Sequence, residues 1–361
     1  MNRVFNFNPG PSTLPLSVLE EAQQELLDFQ GTGMSIAEHS HRGPVYSKVH
    51  DETKALIKDL LAVPDNFRIL FMQGGASGQF ALLPMNLISA DRSADYILTG
   101  SWSKKALAEA KQVGAVRVAA DTSVDGAFLR VPNQDELNLD SNARYVHLTS
   151  NNTIAGTQFQ TFPDTGSVPI AADMSSDILG RPLDFSKFGV VYAGTQKNLG
   201  PAGLALVIIR DDLIDDCVHL PKIFRYKTIA DNDSLQNTVP TFNVYLTGLV
   251  LKWIRDNGGA LGMQKRNQEK ADVLYGAVDA RPEFFRCPVE RASRSVMNVV
   301  FRLPSEELEK TFIAQATDAG LVGLKGHRSV GGIRASIYNS MELAGVQALV
   351  DFMDAFAKKH G

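Results

Sequence analysis

Gly194-Thr195-Gln196-Lys197-Asn198-Leu199-Gly200-Pro201-Ala202-Gly203 lies between two apolar runs, Val190-Val191-Tyr192-Ala193 and Leu204-Ala205-Leu206-Val207-Ile208-Ile209. The runs read as core strands, and glycine and proline at this spacing enforce a sharp reversal between them. A lysine therefore sits in a tight turn at the end of a buried strand. Burying an ammonium without a partner is costly. Lys197 is then paired with an anion, used covalently, or left as a solvated turn residue, and the window alone leaves these open. A lysine amine is nucleophilic only when neutral, and a cramped apolar site favours that form.

Outward from this turn the pattern alternates. Strands are expected over Arg68–Met72, Asp95–Thr99, Ala115–Ala119, Tyr145–Thr149 and Ile170–Ala172, the last ending at Asp173. Helices are expected over Ser17–Phe29, with Ser17 as N-cap and Glu20 in the capping-box position, and over Val45–Leu61, Gln79–Leu87, Lys104–Gln112 and Val244–Asp256. Alternation of this kind predicts an α/β fold with a mostly parallel sheet. Gly258-Gly259 marks a boundary between a large domain (16–257) and a smaller α+β domain (258–361). In the latter, helices are expected over Gln264–Ala280 and Ser305–Ala319, and strands over Met297–Phe301 and Ile333–Ile337. The turn-rich arm, residues 1–15, is expected to join the small domain.

The composition, 44% hydrophobic and 21% charged over 361 residues, is that of a globular protein with room for a large core. A net charge of -4 gives no electrostatic case for nucleic acid or an anionic membrane. Cys217 and Cys287 lack metal-ligand spacing and suit a reducing cytoplasm. No metal, leader or membrane span is expected.

In open α/β sheets, ligands bind beyond the carboxyl ends of the strands. Asp173 sits at one such end, where a carboxylate needs a donor or cation, although a cap or ion pair would also account for it. Gly74-Gly75-Ala76-Ser77-Gly78 forms a strand-to-helix turn whose free N–H groups can cradle an anion. It has neither Walker nor dinucleotide spacing, which disfavours a nucleotide-binding enzyme. Trp102 follows another strand and could stack on a planar ring or fill the core. His41-Arg42, His327-Arg328 and Arg334 would suit a small substrate with two anionic ends. Pyridoxal phosphate requires a lysine, an acid at its ring nitrogen, an aromatic face and a phosphate cradle. Lys197, Asp173, Trp102 and the Ala76-Ser77 turn supply all four. A non-catalytic binding protein would need neither Lys197 nor Asp173.

Across essentially its whole length the chain resembles the phosphoserine aminotransferase family, in class V of the fold type I pyridoxal-phosphate enzymes. The resemblance rests on Phe5-Asn6-Phe7-Asn8-Pro9-Gly10-Pro11, Ser40-His41-Arg42-Gly43, Gln73-Gly74-Gly75-Ala76-Ser77-Gly78-Gln79-Phe80 and Tyr192–Gly203. It extends to Asn237-Thr238-Val239-Pro240-Thr241-Phe242, Gly323–Arg328 and Gly331–Asn339. It implies a seven-stranded sheet and a homodimer with shared active sites. Lys197 would hold the cofactor as a Schiff base, Asp173 would pair with its ring nitrogen, Trp102 would stack on the ring and Thr153 would bond near its phenolic oxygen. Ala76, Ser77 and Gln196 would hold the phosphate, joined by Asn237 and Thr238 of a second subunit. Arg334 would bind the substrate α-carboxylate. His41 and Arg42 of the second subunit, with His327 and Arg328, would take the distal anion.

The implied reaction moves the amino group of glutamate to 3-phosphohydroxypyruvate in serine biosynthesis. The pocket chemistry also permits a pyridoxine-biosynthetic substrate. The alternative is another class V transaminase or lyase acting on a different small anionic amino acid, although a desulfurase lacks its loop cysteine here. Ser77 replaces an arginine of some family members and Pro9 a serine. Both substitutions bear on substrate affinity, not on reaction type.

Overall fold

The computed structural model describes residues 3–361. Met1 and Asn2, the start of the arm, lie outside the described residues. The central sheet contains β2 (Phe67–Gln73), β3 (Ala94–Leu98), β4 (Val116–Asp121), β5 (Val146–Thr149), β6 (Ile170–Asp173), β7 (Phe188–Gly194) and β8 (Leu204–Arg210), after a short N-terminal strand β1 (Phe5–Asn6). Their order across the sheet is β2-β8-β7-β6-β5-β3-β4. Only β8 runs against its neighbours. The reason lies in the Thr195–Gly203 turn, which is too short for the crossover a parallel pair needs. Six strands thus point their carboxyl ends to one edge, and the expected mostly parallel seven-stranded α/β sheet is the observed one.

Side chains alternate along the strands and fill a core on each face. From β7, Val191 and Ala193 join a layer with helices α1 (Leu16–Gln24), α2 (Pro44–Leu61) and a later helix over Thr241–Asp256. Val190 and Tyr192 face the opposite layer, with α3 (Gly75–Leu87) and α4 (Ser101–Val113). A third core gathers Phe285, Phe301 and Phe312 with Phe7 of the arm. The long helix Gly259–Asp279 spans two cores: Ala260 and Met263 belong to the first, and Ala271, Leu274 and Val278 to the third. Phe5 and Asn6 pair in parallel with Leu321 and Val322. Asn298–Phe301 pairs antiparallel with Ile333–Ser336, which places Arg334 opposite Val300.

Three local expectations are corrected. Helix α1 is capped at Pro15, with no side-chain bond, so Ser17 lies inside its first turn. It ends at Gln24, not Phe29, because Phe29 N bonds to Met34 O and Asp28 Oδ1 accepts from Gly33 N, closing a loop instead. The glycine segment after β2 is not a turn preceding a helix at Gln79: α3 begins at Gly75, so Ala76 and Ser77 occupy its first turn. The C-terminal helix Leu343–His360 was not anticipated.

Candidate active site

The carboxyl edge of the sheet and the strand Ile333–Ser336, which carries Arg334, enclose a cavity of about 330 Å³, a size typical of small-molecule sites. Lys197 lines it from the turn after β7, Asp173 from the end of β6, Trp102 from α4 and Thr153 from the loop after β5. Ala76, Ser77 and Gln196 line it at the N-terminus of α3 and beside Lys197, and His327 and Arg334 close the far side. These nine predicted residues meet although they are spread from position 76 to 334.

Each is held by local bonds. Asp173 Oδ1 accepts from Ser175 N at 2.9 Å and from Ser175 Oγ at 2.6 Å. Among the described residues no donor reaches Oδ2, so one carboxylate oxygen is left for a ligand. Trp102 Nε1 donates to Thr153 Oγ1 at 3.0 Å, which fixes the indole edge. The Lys197 amine lies 5.8 Å from the Trp102 ring centroid. Burial lowers the Lys197 pKa from the ordinary lysine value, with the Asp173 carboxylate opposing the shift and Arg334 adding to it. A neutral, nucleophilic amine is favoured accordingly.

The arm packs against this turn. Ser12 Oγ donates to Lys197 O at 2.5 Å, and Ser12 N to Gln196 O at 3.0 Å. A Cβ on Gly10 would come 3.3 Å from Lys197 Cγ. At the other end, Gly75, Ala76 and Ser77 present the unpaired N–H groups of the first turn of α3, an anion site by geometry and dipole. Gly194 keeps this corner open, because a Cβ there would stand 2.6 Å from Gln196 Oε1. That oxygen is buried and has no partner.

Arg334 is 6% exposed. Its Nη1 donates to Thr153 O at 3.1 Å, and its Nε has no partner. Burial lowers its pKa, yet a guanidinium remains charged. His327 Nδ1 accepts from Ser329 N at 3.3 Å, so the hydrogen of the neutral ring sits on Nε2. Burial, then Arg334, Arg328 and Lys105, lower its pKa.

Five predicted residues do not line this cavity. Arg328 is exposed. Arg42 reaches Gln236 O at 3.5 Å, beside Asn237, and Thr238 O accepts from Gln73 Nε2 at 3.4 Å. His41 Nε2, Gln236 Oε1 and Asn237 Oδ1 are buried with no hydrogen-bond partner. Conversely, the cavity uses Ser175, whose role sequence reasoning missed. The signal was present in Asp173-Met174-Ser175, an acid followed two residues later by a hydroxyl at a strand end.

The class V aminotransferase family model matches residues 4–349. A phosphoserine aminotransferase of Desulfatibacillum aliphaticivorans is 55% identical, covering 100% of this chain and 99% of the relative. The solved phosphoserine aminotransferase from Bacillus circulans subsp. alkalophilus superposes with a TM-score of 0.97 at 53% identity, covering 99% of each chain. A pyridoxal-phosphate-bound phosphoserine aminotransferase from Trichomonas vaginalis superposes with a TM-score of 0.93 at 38% identity, covering 98% of this chain and 100% of that one. With a lysine, an acid and an aromatic ring converging at the carboxyl edge of a sheet this similar, the chain belongs to the class V aminotransferases and, among them, to the phosphoserine aminotransferases, which are pyridoxal-phosphate-dependent transferases.

Proposed function

We propose that the chain reversibly transfers the amino group of L-glutamate to 3-phosphohydroxypyruvate, giving O-phospho-L-serine and 2-oxoglutarate for serine biosynthesis. The reading extends to formation of 4-phosphohydroxy-L-threonine in pyridoxine biosynthesis, since that substrate also carries a carboxylate and a phosphate. The observation that carries it is that Lys197, Asp173 and Arg334 open onto one cavity.

The residues present fit pyridoxal phosphate. The unshared Asp173 Oδ2 suits a protonated ring nitrogen, and the first turn of α3 suits a phosphate. The Gln196 side chain lines the cavity with that turn, and its Nε2 hydrogens can donate to a phosphate. Asp173 would hold the proton on the ring nitrogen. Trp102 would cover one face of the ring, and Thr153 would bond near its phenolic oxygen. Ala76, Ser77 and Gln196 would hold the phosphate. When bound, the cofactor supplies an aldehyde that carries the amino group and a ring that accepts the electron pair left by the α-proton.

The chain's own residues perform the rest. The Lys197 amine, lowered in pKa by burial, would hold the cofactor's aldehyde and, once free, would move the proton at Cα as general base and then general acid. Arg334 grips the α-carboxylate through its free donor edge, which orients Cα toward Lys197. His327 and Arg328 receive the distal phosphate or the glutamate side-chain carboxylate. His41, Arg42, Asn237 and Thr238, which do not line their own cavity, serve the cavity of a second copy in a homodimer. A cytoplasmic location belongs to the same reading and is supported by two free cysteines.

The purified protein should absorb visible light, and the band should change when glutamate is added. A colourless protein that gains no band with pyridoxal phosphate overturns the cofactor's place at Lys197. Equal efficiency with 3-phosphohydroxypyruvate and unphosphorylated hydroxypyruvate overturns the distal-anion pocket.

A further inference from the structure

We infer that Asp177 is a positioning residue whose carboxyl group carries a proton, so that Asp173 is left as the single negative charge acting on the Lys197 amine. The consequence for Lys197 rests on the roles proposed above for Lys197 and Asp173; the protonation itself does not.

Asp177 follows Asp173 by four residues in Asp173-Met174-Ser175-Ser176-Asp177, and its N–H bonds back to Met174 O at 3.2 Å. It is 5% exposed. Both groups that reach its carboxyl are neutral. Gln158 Nε2 donates to Oδ2 at 3.1 Å. The orientation of that amide is fixed, because Gln158 Oε1 accepts from Val296 N at 3.0 Å. Oδ2 is therefore an acceptor. Ser150 Oγ is bonded to Oδ1.

Ser150 decides the proton count. Its single hydroxyl hydrogen faces two acceptors, Asp177 Oδ1 and, at 3.0 Å, the main-chain oxygen of Asp173. If Asp177 is protonated, its O–H donates to Ser150 Oγ and the Ser150 hydrogen passes to Asp173 O. Every close oxygen pair then has a hydrogen between its members. If Asp177 is ionised, one pair has none.

The charged groups around Asp177 are occupied elsewhere. Among the described residues no cation comes within ion-pairing distance of its carboxyl. Arg181 donates to Gln160 O at 2.7 Å and to Phe159 O. The Tyr338 hydroxyl donates to Pro9 O at 2.7 Å. Asp173 is a like charge, and Lys197 faces the cavity. A buried carboxyl with no cation takes up a proton instead of staying charged. In agreement, burial raises the Asp177 pKa from 3.8, and Asp173 raises it further against Arg181, Ser150 and Gln158.

The position serves the site in two ways. Ser150 N and Ser150 Oγ both bond to Asp173 O, so the chain Asp177–Ser150 fixes the peptide from which the Asp173 carboxylate projects. An ionised Asp177 would add to Asp173 in holding the Lys197 amine protonated. A neutral one leaves Asp173 as the one carboxylate opposing the effect of burial on Lys197.

The test is Asp177→Asn in the full-length holoenzyme. Asparagine has the shape of a neutral aspartic acid: its amide N–H can donate to Ser150 and its oxygen can accept from Gln158. Infrared spectra with isotope-labelled aspartate should show a protonated carboxyl in wild type at neutral pH, and Asp177→Asn should remove that band. The visible absorbance of the holoenzyme should titrate with the same midpoint in both. Thermal unfolding supplies a third readout. The folded-state pKa of Asp177 is raised above its unfolded value, so the folded state binds the extra proton. Wild-type stability therefore falls as pH rises through and above the unfolded pKa of about 4. The melting temperature of Asp177→Asn should gain on wild type from about pH 5 to about pH 8. Absence of the labelled band in wild type, or a lower absorbance midpoint in Asp177→Asn, overturns the inference. The infrared band reports Asp177 whether or not Lys197 holds the cofactor, so the two readings fail separately.

Discussion

At the scale of single residues, the site separates groups that act by chemistry from groups that act by grip. Lys197→Ala should abolish transamination while leaving the fold intact, because the side chain contributes no hydrogen bond that the turn depends on. Retained turnover in a coupled assay would refute its role. Arg334→Gln should leave the visible band in place and raise the KM for glutamate. Losing a charge-assisted bidentate contact in a buried site costs about 2–4 kcal/mol, roughly thirtyfold to several hundredfold in affinity. His327 gives a finer test. Its Nδ1 is committed to Ser329, so it offers Nε2–H as a donor without having to be charged. His327→Ala should raise the KM for the phosphorylated substrate about tenfold, in line with about 1.5 kcal/mol for a hydrogen bond to a charged acceptor. His327→Gln, which places an N–H at a similar reach, should recover most of that loss. Because burial and the neighbouring cations lower its pKa from 6.5, the KM in wild type should stay flat from about pH 6.5 to about pH 8. A KM that climbs steeply over that range would show that binding needs the protonated ring. Lys197, Asp173 and Trp102 were legible because each lies at the end of a strand or within four residues beyond it, so the alternation of apolar runs locates them. Ser175 and Asp177 were not, since their importance is a matter of hydrogen-bond partners brought from Ser150, Gly194 and Gln158.

At the scale of elements, backbone requirements at two junctions govern the site. Gly323 has φ of +86°, and a Cβ there would stand 2.7 Å from Asn8 N. It sits where Phe7 N bonds to Val322 O at 2.8 Å and Ser336 N to Phe7 O at 3.2 Å, the stitching that brings Pro9 and Gly10 over Lys197. Gly323→Ala should cost about 1–3 kcal/mol from the left-handed backbone alone. It should also expose the arm to limited proteolysis near Asn8 and lower kcat. A variant with native melting temperature and a protease-resistant arm would show that the contact yields without consequence. The second junction is a cap. Ser305 Oγ accepts from Leu308 N at 3.2 Å, and Glu306, Glu307 and Glu309 complement the dipole of the helix Glu306–Asp318. Ser305→Ala should cost about 1 kcal/mol with activity unchanged. Ser305 opens the expected helix Ser305–Ala319 without being singled out as its cap, whereas Ser17, expected to cap α1, does not. The difference is Pro15, whose fixed φ starts α1 two residues earlier than a Ser17 cap would and leaves Ser17 in the first turn. The C-terminal helix escaped notice although its apolar face fills the third core. Its N-cap, Glu342, makes no side-chain bond, so the start signal is weak.

At the scale of the whole molecule, the residues absent from the cavity are as informative as those in it. His41, Arg42, Asn237 and Thr238 were expected to serve a second copy, and in the single chain they do not line the cavity that holds Lys197, while Arg42 bonds to Gln236 O. Three buried polar atoms in this region, on His41, Gln236 and Asn237, have no partner within the chain. Unsatisfied buried acceptors and donors cost about 1–3 kcal/mol each, which favours an arrangement that brings ligands or protein to them. A two-fold dimer does so for both copies at once, because an isologous interface repeats each contact. The reading predicts complementation. Lys197→Ala and the double variant His41→Ala/Arg42→Ala should each be inactive or nearly so as pure proteins. In a dimer of one subunit of each kind, one site combines an intact Lys197 with an intact His41 and Arg42, and the other site lacks all three. After subunit exchange at equal concentrations, random pairing puts half the dimers in this mixed state, so activity should recover to about a quarter of wild type. If no activity returns although exchange is confirmed by native mass spectrometry, each site is completed within its own chain. His41 and Arg42 would then have to reach Lys197 by a rearrangement of the loop that carries them.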